Sequence, residues 1–428
     1  MLPALHPAGI AVGALLAGIG LVLAEGVVGP LLVRSWTTPE GQVLGMVHER
    51  LAGEYVEPRD PVWLLHRGVE GMLAGLEDPY TFFVGPEELT ALEEESSGSL
   101  IGIGVVLNLD SAHVRYPVPG GPAEAAGIRP GDRILEVDGL PAEGLEGEEL
   151  ARRIKGPAGT EVVLTVLGPG ESAPRQVRVR RAPVPTGTVG KVEMLEPGIG
   201  RIHIRSFAHS TPEEFEEALQ TLEAQGLRAL ILDLRFNTGG VLQAAVDVAA
   251  TFVGREAVCT LRGRKGPLQV RRGRPRGEVR SLPLVVLLNG YSASGSEVLA
   301  GALRDHGVAV LVGEPSYGKG VYQQVLRYED WDFAFKFTAG FYLTPSGRIL
   351  ESRIGAHRAG GLEPDLWLPG PREEEAALLT WLRYDPPPER YRELVYRLFP
   401  NVAAYSGPPD PVEEAARELL RRSLEEES

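Results

Sequence analysis

Three polar segments and one glutamine carry residue types that could perform acyl-transfer chemistry. Asp233–Gly240 follows an apolar run and ends in two glycines, whose backbone can turn tightly and present bare N–H groups. Tyr291–Glu297 precedes a predicted helix, and a serine on such a turn can expose its hydroxyl where the helix N-terminus favours a developing oxyanion. Ser316–Gly320 places a lysine between two glycines, and Gln323 follows that lysine by four residues. Together the segments offer a nucleophile, a base and N–H donors.

The first two segments also have interpretations without catalysis. The paired glycines could bind a phosphate or merely connect a strand to a helix. Ser294 and Glu297 have the spacing of a capping box at a helix N-terminus. His306 follows Ser294 on the same predicted helix, more than two turns away, so we expect it to be structural. The residue order also differs from that of hydrolases with a GxSxG nucleophile turn.

A serine nucleophile can use a lysine base in place of histidine. Such a lysine must be uncharged near neutral pH, so its pKa must fall from about 10.4 to about 7–8. Burial without a paired carboxylate can produce this shift. From Val308 to Gln323 the only acidic residue is Glu314, five residues before Lys319. The local sequence is therefore consistent with a lysine base.

Composition narrows the class of protein. The chain has 428 residues, 43% of them hydrophobic, which indicates a multidomain globular protein. Its formal net charge of −15 argues against a general nucleic-acid binder. Cys259 is the single cysteine and the eight histidines are scattered, so no disulfide, metal or other cofactor is expected. The segment Arg262–Arg280 is strongly basic; a solvated hairpin is favoured, and contact with anionic lipid or an acidic substrate is the alternative.

Residues 1–36 are predicted to be a signal peptide or a membrane anchor. From Leu2 to Ala24 the only titratable side chain is that of His6, and the run is long enough to approach a membrane span. Val22–Ala24 could form a signal-peptidase site, but no Lys or Arg precedes the run and apolar residues resume after it, which favours an uncleaved anchor. Either interpretation places the remaining chain outside the cytoplasm, in the periplasm or cell envelope.

The rest of the chain divides by hydrophobic pattern into four segments. Residues 37–97 have mainly helical spacing, and 98–182 contain short strand-like runs. In 183–370, continuous apolar strands alternate with amphipathic helices, which is typical of an α/β core. Thr211 there is predicted to cap a helix N-terminus. Residues 371–428 are again helical, with a proline-rich break.

The motifs in combination resemble the C-terminal processing peptidases, also called tail-specific proteases. The resemblance covers about 51–368 and implies an α/β, crotonase-like peptidase core, a mainly β PDZ domain at 98–182, and helical N- and C-terminal segments. Gly295 stands where the family often has alanine, Thr238 replaces a common proline, and Tyr80 replaces a usual histidine. None of these departures removes a reacting group. The motifs that carry the resemblance are Leu76–Pro79, the 98–182 block, Asp233–Gly240, Asn289–Glu297, Gly313 with Tyr317–Gln323, and Gly361–Asp365.

The resemblance also implies roles for individual residues. Ser294 would be the nucleophile, Lys319 the base and Gln323 the residue that orients the lysine. The oxyanion hole would use the backbone N–H of Gly295 and that of Gly239 or Gly240. By position, Ser294 is favoured over the neighbouring serines as nucleophile. Those competitors are Ser292 and Ser296.

The PDZ block would bind the C-terminus of a substrate by strand addition and by capture of its carboxylate on backbone N–H groups. Val105 and Val106 would begin the receiving strand, and apolar side chains there favour an apolar substrate terminus. A glycine-containing strand start without a ligand is the alternative. The loop that matches the carboxylate-binding position consists of Ile101, Gly102, Ile103 and Gly104.

The sequence thus predicts a serine endopeptidase that recognises protein or peptide substrates through apolar C-terminal tails. It would contact the membrane through its N-terminal segment, and its helical ends could form a homodimer as in relatives; no nucleic-acid partner is expected. The alternative from another class is a catalytically inactive PDZ-bearing scaffold with a crotonase-like ligand-binding domain.

Overall fold

The computed structural model describes residues 38–108, 111–145, 147–328, 333–353, 360–370, 375–383, 387–400 and 410–426. The predicted signal or anchor segment, 1–36, lies outside this range. Across the described ranges, no helix is both long and apolar enough to cross a membrane. The chain divides into two compact units, one formed by residues up to Val84 together with Leu326–Lys336, and the other by the remainder.

The first unit begins with a pair of capped helices, α1 (Pro39–Glu54) and α2 (Pro61–Ala74). The hydroxyl of Thr38 accepts the N–H of Gly41 at 3.2 Å and caps α1. The carboxylate of Asp60 caps α2 in the same way, and a proline starts each helix where a missing N–H costs nothing.

The segment 37–97 is mainly helical, as predicted, but Phe82–Val84 within it form a short strand, β1, that the pattern did not predict. This strand pairs antiparallel with residues 334–336. Phe83 stacks on Phe333 with their ring centroids 5.4 Å apart. Three consecutive β-prone residues with a pairing partner distant in sequence override the helical pattern around them.

The second unit starts with α3 (Pro86–Ser97) and a small β domain with its own core. Ile103, Leu150 and Leu164 are buried in this core, and alternate residues of the longest strand point into it. Gly104, with a φ of +72°, separates β2 from β3, so a new strand begins at Val105 as predicted. The elements are β2 (Ser99–Gly102), β3 (Val105–Leu107), β4 (Val114–Pro117), α4 (Pro122–Ala125), β5 (Arg133–Val137), β6 (Leu140–Pro141), α5 (Gly147–Ile154), β7 (Glu161–Leu167), β8 (Arg175–Arg180) and β9 (Ala182–Pro185).

A six-stranded sheet forms the centre of the second unit, in the order β10–β11–β12–β15–β16–β19. The β10–β11 pair is antiparallel, and the other neighbours are parallel. The strands are β10 (Val189–Glu196), β11 (Ile199–Ile204), β12 (Ala229–Asp233), β15 (Leu284–Leu288), β16 (Val310–Gly313) and β19 (Leu366–Trp367). The α/β class predicted from alternating strands and helices is confirmed.

Helices cover both faces of this sheet. On one face, alternate strand residues such as Ile202, Leu232 and Val286 pack with α6 (Thr211–Glu223), α7 (Leu242–Val253) and α8 (Gly295–Asp305). The intervening residues pack against α11 (Pro411–Glu426) on the other face. Burial on both faces explains why the strands are continuously apolar.

The remaining elements lie in the second unit, except that residues 326–328 of β17 and 333–336 of β18 belong to the first unit. The predicted Thr211 cap is corrected: Ser210 is the N-cap of α6, and the Thr211 hydroxyl instead accepts the N–H of Ala208 at 2.8 Å. A further sheet contains the β13–β14 hairpin, and residues 340–343 of β18 pair with β13. These elements are β13 (Ala257–Gly263), β14 (Gln269–Arg272), β17 (Val321–Tyr328), β18 (Phe333–Leu343), α9 (Glu375–Arg383) and α10 (Glu389–Leu398).

Candidate active site

Two turns at the carboxyl ends of neighbouring parallel strands are joined by one buried asparagine. Asn237, in the turn after β12, is fully buried, and its side chain donates to the carbonyl of Ile204 at 2.9 Å. Its main-chain carbonyl accepts the N–H of Ala293 at 3.0 Å and the hydroxyl of Ser296 at 2.9 Å. Both partners belong to the turn after β15, so Asn237 fixes the two turns against each other.

The three serines of the second turn have different environments. Ser292 is fully buried and donates to the carbonyl of Leu234 at 2.9 Å. Ser296 is also fully buried and donates to the main-chain carbonyl of Asn237. Ser294 is half-buried and has a φ of +56°, a conformation that is strained for a residue with a Cβ and is found at functional turns. Two of the hydroxyls therefore donate to buried carbonyls, and Ser294, unlike the other two serines, is not fully buried.

The glycine pair of the first turn lies directly beside Ser294. A Cβ placed on Gly239 would be 2.7 Å from the Cβ of Ser294 and 3.0 Å from the amide nitrogen of Gly295. The N–H of Gly239 donates to the Asn237 side chain at 2.9 Å. Within the described ranges, the N–H of Gly240 has no hydrogen-bond partner. The first turn of α8, which begins at Gly295, also has N–H groups without intrahelical partners.

Glu297 links the serine turn to the loop that carries Lys319. Its carboxylate is fully buried and accepts the main-chain N–H of Ser294 at 2.8 Å, as the predicted capping box requires. The same carboxylate accepts the N–H of Gly318 at 2.8 Å and of Lys319 at 2.9 Å, and the hydroxyl of Ser316 at 2.5 Å. Capping and positioning are therefore two roles of one side chain.

The two glycines that flank Lys319 allow close packing of its loop. A Cβ on Gly318 would be 2.6 Å from the Ser352 hydroxyl, and one on Gly320 would be 2.3 Å from the main-chain nitrogen of Glu351. Gly318 also has a φ of +85°. These contacts hold the half-buried Lys319 on a defined backbone.

Tyr342 contacts both the serine turn and the lysine loop. Its hydroxyl donates to the main-chain carbonyl of Lys319. Burial, with a contribution from the charge of Glu297, raises the pKa of Tyr342 well above its ordinary value, while a hydrogen bond with Ser294 opposes that rise. Gln323 is half-buried, and its side-chain amide donates to the carbonyl of Val321 at 3.2 Å.

The predicted tail-binding loop lies in the small β domain, apart from these turns. Ile103 is buried in the core of that domain, so the loop can offer its backbone rather than this side chain. The main-chain N–H of Ile101 donates to the carboxylate of Glu94 at 2.8 Å. Gly102 is half-buried, as is the strand residue Val105 that follows the loop.

Sequence analysis missed the residues that hold the site together. Asn237 lies within the Asp233–Gly240 motif but was given no role there, and Tyr342 lies in no motif; the partners that place both side chains at the site are distant in sequence. Glu297 was assigned only a capping role, because its contacts to the Lys319 loop depend on tertiary structure. Among the residues described, no cluster of three or more His, Cys, Asp or Glu side chains could hold a metal ion.

Comparison with known proteins identifies the class. The model of peptidase family S41 matches residues 198–367, and that of the PDZ domain matches residues 113–168. The carboxyl-terminal-processing protease of Picosynechococcus sp. is 35% identical over 308 residues, which are 70% of this chain and 73% of that protein. The chain therefore belongs to peptidase family S41, among the carboxyl-terminal-processing serine proteases.

A second curated relative and one solved structure also carry the name of C-terminal processing protease. The carboxy-terminal processing protease CtpA of Bacillus subtilis is 31% identical over 313 residues, covering 72% of this chain and 66% of the relative. A solved structure of a photosystem II D1 C-terminal processing protease is 31% identical in sequence. The match covers 77% of this chain and 87% of the chain in that structure, and the two superpose with a TM-score of 0.45. Membership of peptidase family S41 makes the chain a serine-type peptidase that acts on protein substrates, and the scaffold alternative is not favoured.

Proposed function

We propose that this chain is a Ser–Lys endopeptidase that cleaves proteins recognised through their C-terminal tails. The observation that carries the proposal is the Glu297 carboxylate, which binds the main chain of Ser294 and of Lys319 at once. A serine in a strained, half-buried turn and a lysine on a tightly packed loop are thereby held by one buried group.

In the proposed mechanism, the neutral amine of Lys319 accepts the hydroxyl proton of Ser294 while the serine oxygen attacks the scissile carbonyl carbon. Lys319 returns this proton to the leaving amine as the carbon–nitrogen bond breaks. Water then hydrolyses the acyl-enzyme. Gln323 would position the lysine, and the oxyanion would be stabilised by N–H groups of Gly295 and of the Gly239–Gly240 turn.

Substrate recognition is assigned to the PDZ domain, for which we propose the bounds 98–182, beside a peptidase domain at 183–370. The loop Ile101–Gly104 would bind the terminal carboxylate, and the free side of β3 would pair with an apolar tail. We further propose that 1–36 act as a signal or membrane anchor and place the enzyme outside the cytoplasm. The helical segments 37–97 and 371–428 would contribute to a homodimer.

The test is cleavage of an unstructured protein with an apolar C-terminus by purified variants. Ser294→Ala and Lys319→Ala should each lower kcat by at least about a thousandfold. Ser281→Ala, at an exposed position, is the matched control and should retain activity. A serine-reactive acylating probe should label Ser294 in the wild-type protein. Full activity in either dyad variant would overturn the assignment.

A further inference from the structure

The basic hairpin, defined as residues 262–280, has a charge opposite to that of the protein. It carries eight basic side chains and one acidic one, a net charge of +7 in a chain whose total is −15. The strands β13 and β14 form its base, as the sequence predicted for a hairpin. β14 is the last strand of its sheet, so the basic side chains lie along an edge rather than within the core.

Most of this charge is not neutralised within the protein. Arg280 is the exception, since its guanidinium pairs with Glu216 and with Glu223. Arg262 lies over the ring of Phe341, and in the described part of the chain the six remaining basic residues of the hairpin form no ion pair. They are Arg264, Lys265, Arg271, Arg272, Arg274 and Arg276. A cluster of unpaired like charges repels itself, so an anionic partner would relieve that cost.

Large apolar side chains are exposed among these charges. Leu268, between the two strands, is 60% exposed, and Val270 on β14 is 49% exposed. No aromatic residue occurs in 262–280, so the hairpin lacks the stacking groups with which proteins bind single-stranded nucleic acid. Basic residues that surround an exposed leucine match the headgroup and upper acyl layers of a bilayer.

We infer that the basic hairpin binds the surface of an anionic phospholipid bilayer. Its unpaired arginines and Lys265 would contact lipid phosphates, and Leu268 would enter the interface. A bilayer supplies many mobile phosphates, so it can neutralise six dispersed cations without a fixed complementary shape. An acidic protein partner would have to match the position of each cation, which makes it the less favoured occupant.

The hairpin can be labelled at a single site in the full-length chain. Cys259 is the only native cysteine; it is 1% exposed, and burial raises its pKa to about 12, so it reacts poorly with thiol reagents. Leu268→Cys with an environment-sensitive fluorophore therefore reports on the hairpin alone. Leu140→Cys, at a position that is 59% exposed in the small β domain, provides the matched control.

The two labelled proteins are mixed with phosphatidylcholine vesicles with and without about 30% phosphatidylglycerol. We expect a blue shift at position 268 with the anionic vesicles, its reversal by high salt, and no shift with neutral vesicles or at position 140. Because the probe is local, attachment through residues 1–36 would not produce this pattern. An equal response to both vesicle types, or none, would overturn the inference. The charges would then serve only to prevent the edge strand from pairing with another chain.

Charge variants then separate local binding from net charge. Replacing Arg264, Lys265, Arg274 and Arg276 by serine in the labelled protein should lower the affinity for anionic vesicles about fivefold per charge. The matched control removes four arginines that are paired with glutamates elsewhere and should change the affinity little. These are Arg50, Arg59, Arg152 and Arg422. Equal losses in both variants would contradict a specific role for the hairpin.

Discussion

Two fully buried carboxylates lie near the ends of adjacent parallel strands, and they are stabilised by different means. Asp233, the last residue of β12, contacts the Arg235 guanidinium at 2.7 Å, and the same guanidinium contacts Asp410 at 2.7 Å. Glu297, in the first turn of α8, is bound by three main-chain N–H groups and one hydroxyl. The first carboxylate is compensated by a cation, and the second by neutral donors.

The difference appears in the pKa values of the two groups. Burial pushes the pKa of Asp233 upward, but attraction to Arg235 and the hydrogen bonds from it hold that pKa below its ordinary value. Burial raises the pKa of Glu297 although its four hydrogen bonds oppose the rise. The charge-compensated cluster is suited to stabilise the fold by attaching α11 to the sheet. The donor-compensated carboxylate is suited to fix backbone around a reactive serine.

The largest expected effect is on stability and comes from removing the Arg235 cation that pairs with Asp233. Arg235→Met leaves Asp233 buried without its counter-charge, and breaking a buried pair in this way costs about 3–5 kcal/mol. The free energy of unfolding, measured by urea denaturation at neutral pH, should fall by that amount. Catalytic constants measured well below the unfolding midpoint should change much less.

The double variant Asp233→Asn/Arg235→Met is the control for this prediction. It removes the uncompensated charge as well as the cation, so it should recover part of the lost stability. If the single and double variants were equally destabilised, the cost would come from lost packing, and the description of this region as charge-compensated would be wrong.

For the Glu297 carboxylate, the expected effect is on catalysis. Glu297→Gln keeps the shape of the side chain but turns an NH₂ group toward donors that need an acceptor. The Ser294 turn and the Lys319 loop should then move apart, and a displacement of about 1 Å can cost a hundredfold in rate. We therefore expect kcat to fall about a hundredfold while KM changes little.

Steady-state kinetics on a tailed protein substrate give both constants. Glu314→Gln is the matched control, because that carboxylate is only half-buried and accepts the N–H of Gly370 at a longer distance, 3.2 Å. Its kcat should remain near that of the wild-type protein. A Glu297→Gln enzyme with normal kcat would show that the bridge is not needed to position the dyad.

Sequence patterns predicted the parts of both regions that depend on local structure. The strands were found because burial on both faces makes them continuously apolar, and the Ser294–Glu297 capping box was found because its spacing is local. Asp410 and Tyr342 could not be found, because their partners lie far away in the chain. The Thr211 cap was misplaced by one residue, since its hydroxyl accepts the N–H of Ala208 in the loop before α6 and donates to the Thr188 hydroxyl, which is distant in sequence.

His203 provides the smallest of the three effects and tests whether charge balance governs the Asp233 region. This imidazole is 2% exposed, with Nε2 3.4 Å from the carbonyl of Arg235 and with Nδ1 lacking a partner among the described residues. Burial lowers its pKa from 6.5 to about 4, and the nearby Asp233 offsets this only in part. Because the folded protein binds the proton more weakly than the unfolded chain, the stabilisation is present above pH 6.5 and is lost as the pH falls toward 4.

Between pH 7 and pH 5 the loss should be about 2 kcal/mol, measured as the change in unfolding free energy relative to His203→Gln. His209→Gln, at an exposed position, controls for loss of an imidazole and should keep the wild-type pH profile. If wild-type protein and His203→Gln gave parallel pH profiles, the Asp233 region would accept a second cation without cost. That result would contradict a region whose buried carboxylate is already balanced by Arg235.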